Sequence, residues 1–192
     1  MKTCGVILAG GKSSRMGKTK SLLPLRNKPV ITHIIEEMGK ITDTIVIVTN
    51  DPPAHAFLQL PIVQDRYLEM GPLAGIETAL FHQDADLYIL AACDMPFIDQ
   101  QVYRHLIKQS TDSEAVIPVY HKRNNPLSGI YKKTVLPVIQ QQLDKDIRKV
   151  DRIFDPLRVT YVNDYGTIPE ASVQKHFFNM NFPEQYEWAK KL

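Results

Sequence analysis

Apolar positions follow two rhythms along this chain. Val6-Ile7-Leu8-Ala9, the run Thr44–Thr49, the run Leu87–Cys93 and Ala115–Val119 are continuous or nearly so, and each is too short for a helix. Such runs predict strands buried on both faces. Residues 61–65 and 159–162 add two shorter strands, and residues 126–131 read as a strand returning after the polar turn 121–125. Elsewhere apolar side chains recur at helical spacing. Positions 30, 31, 34, 35 and 38 do so between Pro29, suited to a first turn, and Gly39, suited to a stop. Further helices are predicted from Gly71 through Phe81, over 100–109, and over 134–143 with Thr134 as its candidate cap. A last helix starts at Pro183. Strands alternating with helices predict an α/β fold: a single three-layer α/β/α domain over residues 1–192 around a mostly parallel sheet. No repeat, low-complexity segment or linker interrupts it.

Composition narrows the class of function. A net charge of +2 is too small for a general nucleic-acid or membrane surface, so basic clusters are local features. Three residues precede the first strand, which leaves no room for a signal peptide, and no apolar run reaches bilayer-spanning length. Cys4 and Cys93 sit on or beside apolar runs without metal-type spacing, as free buried thiols would. A cytoplasmic protein is expected.

The densest chemistry follows the first strand. Gly10 and Gly11 end it and are followed by Ser13, Ser14 and the cations Lys12, Arg15, Lys18 and Lys20. Bare backbone N–H groups with compensating positive charge suit a polyphosphate. The dinucleotide fingerprint G-x-G-x-x-G fails here, because Gly10 and Gly11 are adjacent. A P-loop needs four residues between its glycines and opens into a helix; Gly11 and Gly17 enclose five, and Pro24 follows soon after. The near miss keeps a P-loop NTPase as an alternative.

Other candidates fall at the carboxyl ends of predicted strands, where open parallel sheets bind ligands. Asn50 can donate and accept, as reading a base edge or ribose requires, though Asn-Asp-Pro-Pro is also ordinary turn chemistry. Asp65 by itself reads as a loop carboxylate or helix cap. Asp94 ends an apolar strand and is separated from the next helix by Met-Pro-Phe-Ile, which disfavours capping and favours Mg²⁺ beside substrate phosphates. Asn179 and Asn181 alternate along an extended stretch and so share a side. Arg148 and Lys149 suit a phosphate or an exposed charged helix start equally, and His33 reads as a packed or surface histidine.

Leu8-Ala9-Gly10-Gly11, Ser13, Arg15-Met16-Gly17 and Lys20 together resemble the signature of nucleotidyltransferases that build nucleotide-linked cofactors and sugars. Gly71-Pro72-Leu73-Ala74-Gly75 and Cys93-Asp94-Met95-Pro96-Phe97 are similar to the molybdenum cofactor guanylyltransferase family within that group. The resemblance implies the Rossmann-like nucleotidyltransferase fold. It also implies nucleotide binding by Leu8, Ala9, Gly10, Gly11, Lys20, Asn50, Asp65 and Asp94, and catalysis by Arg15, Lys20 and Asp94. Mg²⁺, with Mn²⁺ as a substitute, would sit on Asp94 and Asn181, and Arg148, Lys149 and Asn179 would face the acceptor. The implied reaction joins GMP from GTP to the terminal phosphate of molybdenum-molybdopterin. Transient contacts with a protein delivering molybdopterin and one receiving the product are implied, with no nucleic acid and no membrane.

Two positions depart from the family pattern: Asn125 stands where histidine is usual, and Phe182 where threonine is usual. Leu-Ala-Gly-Gly favours GTP over the Leu-Ala-Ala-Gly of cytidylyltransferases. A cytidylyl- or sugar-1-phosphate nucleotidyltransferase and a non-catalytic nucleotide-binding module remain as alternatives.

Overall fold

Each unbroken apolar run forms a strand with helices on both its faces. The structure is a computed structural model and describes residues 1–10 and 19–192. Its strands are β1 (Thr3–Leu8), β2 (Pro24–Leu25), β3 (Lys28–Pro29), β4 (Ile45–Val48), β5 (Ile62–Val63), β6 (Leu87–Ala92), β7 (Ala115–Tyr120), β8 (Arg123–Asn124), β9 (Ile130–Lys132) and β10 (Val159–Val162). The helices are α1 (Val30–Met38), the single turn α2 (Pro52–His55), α3 (Pro72–His82), α4 (Gln100–Lys108), α5 (Leu136–Leu143), α6 (Glu170–His176) and α7 (Pro183–Ala189).

The main sheet runs β10-β7-β9-β6-β1-β4-β5, with β8 folded back on β7. β1, β4, β5, β6, β7 and β10 are parallel, and β9 lies antiparallel between β6 and β7. β2 and β3 form a separate small hairpin.

Alternation along β1 divides the core. Cys4, Val6 and Leu8 pack with Leu73, Ile76 and Leu80 of α3 and with Ile139 of α5. Ile7 and Ala9 face the other way, into a cluster built from α1, α4, α6 and α7. This gives three layers. Gly5 faces α1, and a Cβ there would stand 2.5 Å from Met38 Cγ in a fully buried position. Gly5→Ala is therefore expected to cost about 1–3 kcal/mol, read as a lower urea midpoint at unchanged slope.

Two expectations are corrected. Residues 126–128 form a 3₁₀ turn instead of the start of a strand: Asn125 N–H donates to Pro118 O at 2.9 Å and Ser128 N–H to Asn125 O at 3.0 Å, so the chain curls before β9 begins. Thr134 is not a cap. It lies within a 3₁₀ turn, 133–135, that leads directly into α5.

Candidate active site

β1 and β6 are neighbours, but the chain leaves β1 towards β4 and β5, on the side away from β6. At such a reversal the following loops diverge and open a crevice beyond the strand ends. Leu8, Ala9 and Gly10 end β1 at this crevice, and Cys93 and Asp94 end β6 there. Leu8 and Ala9 are buried, and Ala9 N–H is already committed to Val48 O at 2.8 Å. Gly10 is exposed, with nothing within 4 Å of where a Cβ would stand. Gly11 and Arg15 lie outside the described residues.

Asp94 is not a helix cap. Asp99 does that work for α4, its side chain accepting from Gln101 N–H at 2.7 Å. The Asp94 carbonyl instead accepts the N–H of Met180 at 2.7 Å. Met180 is fully buried, so the residues on either side of it, Asn179 and Asn181, are turned outward beside Asp94. Lys20, the first residue of a one-turn 3₁₀ helix over 20–22, reaches this point from the other side. Its Nζ donates to Asn181 Oδ1 at 2.7 Å and lies 3.9 Å from Asp94 Oδ2. Burial pushes the Asp94 carboxyl above its ordinary range, with Lys20 pulling it back. A half-buried carboxylate and an amide oxygen, both within reach of one ammonium group, form a hard-oxygen donor pair of the kind a divalent cation such as Mg²⁺ or Mn²⁺ accepts. The adjacent Cys93 is a free thiol whose pKa burial raises far beyond the physiological range, so it is no nucleophile.

Asn50 and Asp65 meet on the β4–β5 side. Asn50 Nδ2 donates to Asp65 Oδ2 at 2.8 Å, and Asp65 N–H donates to Asn50 Oδ1 at 3.1 Å. Burial raises the Asp65 pKa and the Asn50 bond lowers it. The next residue ties this pair to α3: Arg66 N–H donates to Thr78 Oγ1 at 2.9 Å, and its guanidinium pairs with buried Glu77 at 2.5 Å above the Phe81 ring.

On the opposite side of Asp94 lies a cleft of about 380 Å³. Asp94, Asn125, Arg148, Lys149 and Asn179 all line it, so the residues named as acceptor-facing share one cavity with the candidate metal ligand. Arg148 is partly engaged there, pairing with Asp146 at 2.9 Å and donating to Glu69 O at 3.2 Å. Asn125 Nδ2 donates to Arg123 O at 2.9 Å. Phe182 in place of threonine leaves no side-chain oxygen at the start of α7; Gln185 Oε1 accepts from Asn181 N–H at 2.6 Å and Phe182 N–H at 3.0 Å, the other half of a capping box.

A buried network behind the cleft had no signal in the sequence. Asp99 N–H donates to His176 Nδ1 at 2.9 Å, so His176 Nε2 carries the proton and donates to Ser128 Oγ at 2.8 Å. Ser128 donates to Tyr103 Oη at 3.2 Å, and Tyr103 to Leu90 O at 2.6 Å. Every member is satisfied, and burial lowers the His176 pKa to about 3. Only residue spacing between Tyr103, Ser128 and His176 was available beforehand, and it follows no local period.

Fold and site together define an α/β protein whose strand-end crevice gathers the Asn50–Asp65 pair, the Asp94–Lys20–Asn181 group and the cleft lined by Arg148, Lys149 and Asn179. Residues 5–160 match the MobA-like NTP transferase domain, and the chain belongs to that family. A "probable molybdenum cofactor guanylyltransferase" from Carboxydothermus hydrogenoformans is 36% identical over 187 residues, covering 97% of this chain and 94% of that protein. One of the same name from Clostridium perfringens is 33% identical, covering 97% and 96%. Among solved structures, molybdopterin-guanine dinucleotide biosynthesis protein A from Archaeoglobus fulgidus superposes with a TM-score of 0.84 at 26% identity, covering 98% of this chain and 97% of that one. No helix among the described residues is long and apolar enough to cross a membrane.

Proposed function

We propose that this protein transfers GMP from GTP to the terminal phosphate of molybdenum-molybdopterin. The observation that carries this reading is the placement of Asp94, with Lys20 and Asn181 beside it, between the Asn50–Asp65 pair and the cleft lined by Arg148, Lys149 and Asn179.

In this reading an oxygen of the acceptor phosphate attacks the α-phosphorus of GTP. A new P–O bond forms, the bond from that phosphorus to the oxygen bridging to the β-phosphate breaks, and pyrophosphate leaves. The nucleophile is already anionic, so neither a strong base nor a covalent enzyme intermediate is needed. Catalysis is then positioning and charge neutralisation. Asp94 and Asn181 would hold Mg²⁺, or Mn²⁺ in its place; when bound, the ion neutralises phosphate charge and polarises the phosphoryl oxygens. Lys20 balances negative charge growing on the transferring and leaving groups, a role shared with Arg15. Leu8, Ala9, Gly10 and Gly11 offer backbone to the nucleotide, and the Asn50–Asp65 pair presents a fixed donor and acceptor to the nucleoside. Lys149, with Arg148 and Asn179, binds the acceptor phosphate. The work is placed in the cytoplasm, with transient handover from a molybdopterin-delivering protein and to a cofactor-receiving one.

Pyrophosphate release with Mg²⁺ and each of GTP, CTP, ATP and UTP, with and without metal-loaded molybdopterin, tests the reading. Release with GTP only, and only with acceptor, is the expected result. Release with CTP would overturn the base assignment, and orthophosphate release without acceptor would overturn the reaction. Asn50→Ala removes both bonds to Asp65 and is expected to raise the KM for GTP about tenfold with little change in kcat, as loss of uniform binding does.

A further inference from the structure

Lys20 is a long, flexible side chain, and its usefulness depends on how firmly its backbone is held. Leu23 and Leu25 fix the chain after the 20–22 turn by burial, which is not directional. Apart from Lys20's own bond to Asn181, the turn has one directional side-chain anchor among the described residues. Ser21, 1% exposed, has its Oγ 2.9 Å from Nε2 of His55, which is fully buried at the end of α2. His55 Nδ1 lies 2.9 Å from the Asp51 carbonyl. A carbonyl only accepts, so Nδ1 carries the proton, and Nε2 is the bare nitrogen that accepts from the Ser21 hydroxyl. One imidazole thus spans two loops. It closes the turn after Asn50 and holds the residue following Lys20.

We infer that the Ser21–His55 pair positions Lys20, setting its ammonium group against Asn181 and Asp94 in register with the loop that carries Asn50. The inference rests on the catalytic reading of Lys20 above. Glutamine can replace the acceptor atom at Nε2, its side-chain oxygen reaching Ser21. Asparagine is shorter and matches only the donor at Nδ1, so it leaves Ser21 without a partner.

The test is GMP-transfer kinetics and crystal structures of Ser21→Ala, His55→Asn and His55→Gln, with Ser21→Ala also placed in a Lys20→Ala background. Ser21→Ala and His55→Asn are expected to lose about 10- to 100-fold, the scale of a small misplacement of a catalytic group. The loss should fall on kcat, with the KM for GTP nearly unchanged. His55→Gln should recover most of it. In the Lys20→Ala background, Ser21→Ala should cost almost nothing further, because the residue it positions is gone. Equal losses in both backgrounds, or full activity of Ser21→Ala, would overturn the inference. If the wild type transfers no nucleotide, the proposed function falls and the pair is judged on structure alone. Displacement of Lys20 Nζ from Asn181 Oδ1 in Ser21→Ala, or in His55→Asn if that variant alone crystallises, supports it; an unmoved ammonium overturns it.

Discussion

Asp94→Asn is expected to lower kcat by about 100- to 1,000-fold, the scale seen when a group stabilising transition-state charge is removed, while the protein stays folded. The two halves have different causes. Activity falls because the amide cannot supply the negative oxygen that a divalent cation beside phosphates requires. Stability holds because the carboxylate is a burden on the fold. Its folded pKa is raised by burial, so the folded state binds the proton more tightly than the unfolded chain. Such a group lowers stability as pH rises through its folded pKa, and at neutral pH its ionised form is the costly one. Removing the charge relieves that cost, and Lys20 keeps its shorter bond to Asn181. Single-turnover pyrophosphate release and urea midpoints at pH 7 check both halves. Near-normal turnover would remove Asp94 from the chemistry; a large loss of stability would show that the carboxylate is structural.

The second large effect is on acid stability. His176 is fully buried with its folded pKa lowered from 6.5 to about 3, chiefly by burial. Protonation would also remove the acceptor that receives Asp99 N–H. The unfolded chain therefore takes up a proton below pH 6.5 that the folded protein refuses. The contribution is fully present above pH 6.5 and is lost as pH falls towards 3, the accumulated loss being about 5 kcal/mol at about 1.4 kcal/mol per unit. That is of the order of a whole domain's stability. Wild-type urea midpoints should fall steeply between pH 6.5 and 4. His176→Gln should start lower at pH 7, by about 1–3 kcal/mol for the disturbed hydrogen bonds, and then fall less steeply. Parallel curves would show that other groups set the acid limit.

Much of the framework was legible because its signals are local. Unbroken apolar runs mark strands buried twice over, and the spacing in 30–38 marks α1 because five apolar residues repeat the period. α6 escaped because its buried marks are only Val173 and His176, too few to establish a rhythm, and one of them is a histidine. α2 is a single turn capped by Asp51, and its Asn-Asp-Pro-Pro approach reads equally well as a loop. The place of Asp94 at a strand end and the shared side of Asn179 and Asn181 were readable from strand-end position and alternation. That Asn50 bonds Asp65, or that Ser21 bonds His55, depends on where separate loops meet in space, and residue order alone does not encode it.

β9 gives the sheet a seam. Only three residues long, it pairs with β6 at Leu87, Tyr88 and Ile89 and with β7 at Ala115 and Val116. Among the described residues, every ladder contact joining the β5-β4-β1-β6 half to the β7-β10 half passes through it. The two halves are thus candidate cooperative units for amide exchange, with Ile130 and Tyr131 as the stitch whose protection reports their joint opening. The 126–128 turn that leads into β9 lines the cleft beside Asp94. A ligand gripping both walls of that cleft would clamp the seam shut, and slower exchange at these two amides would measure how tightly.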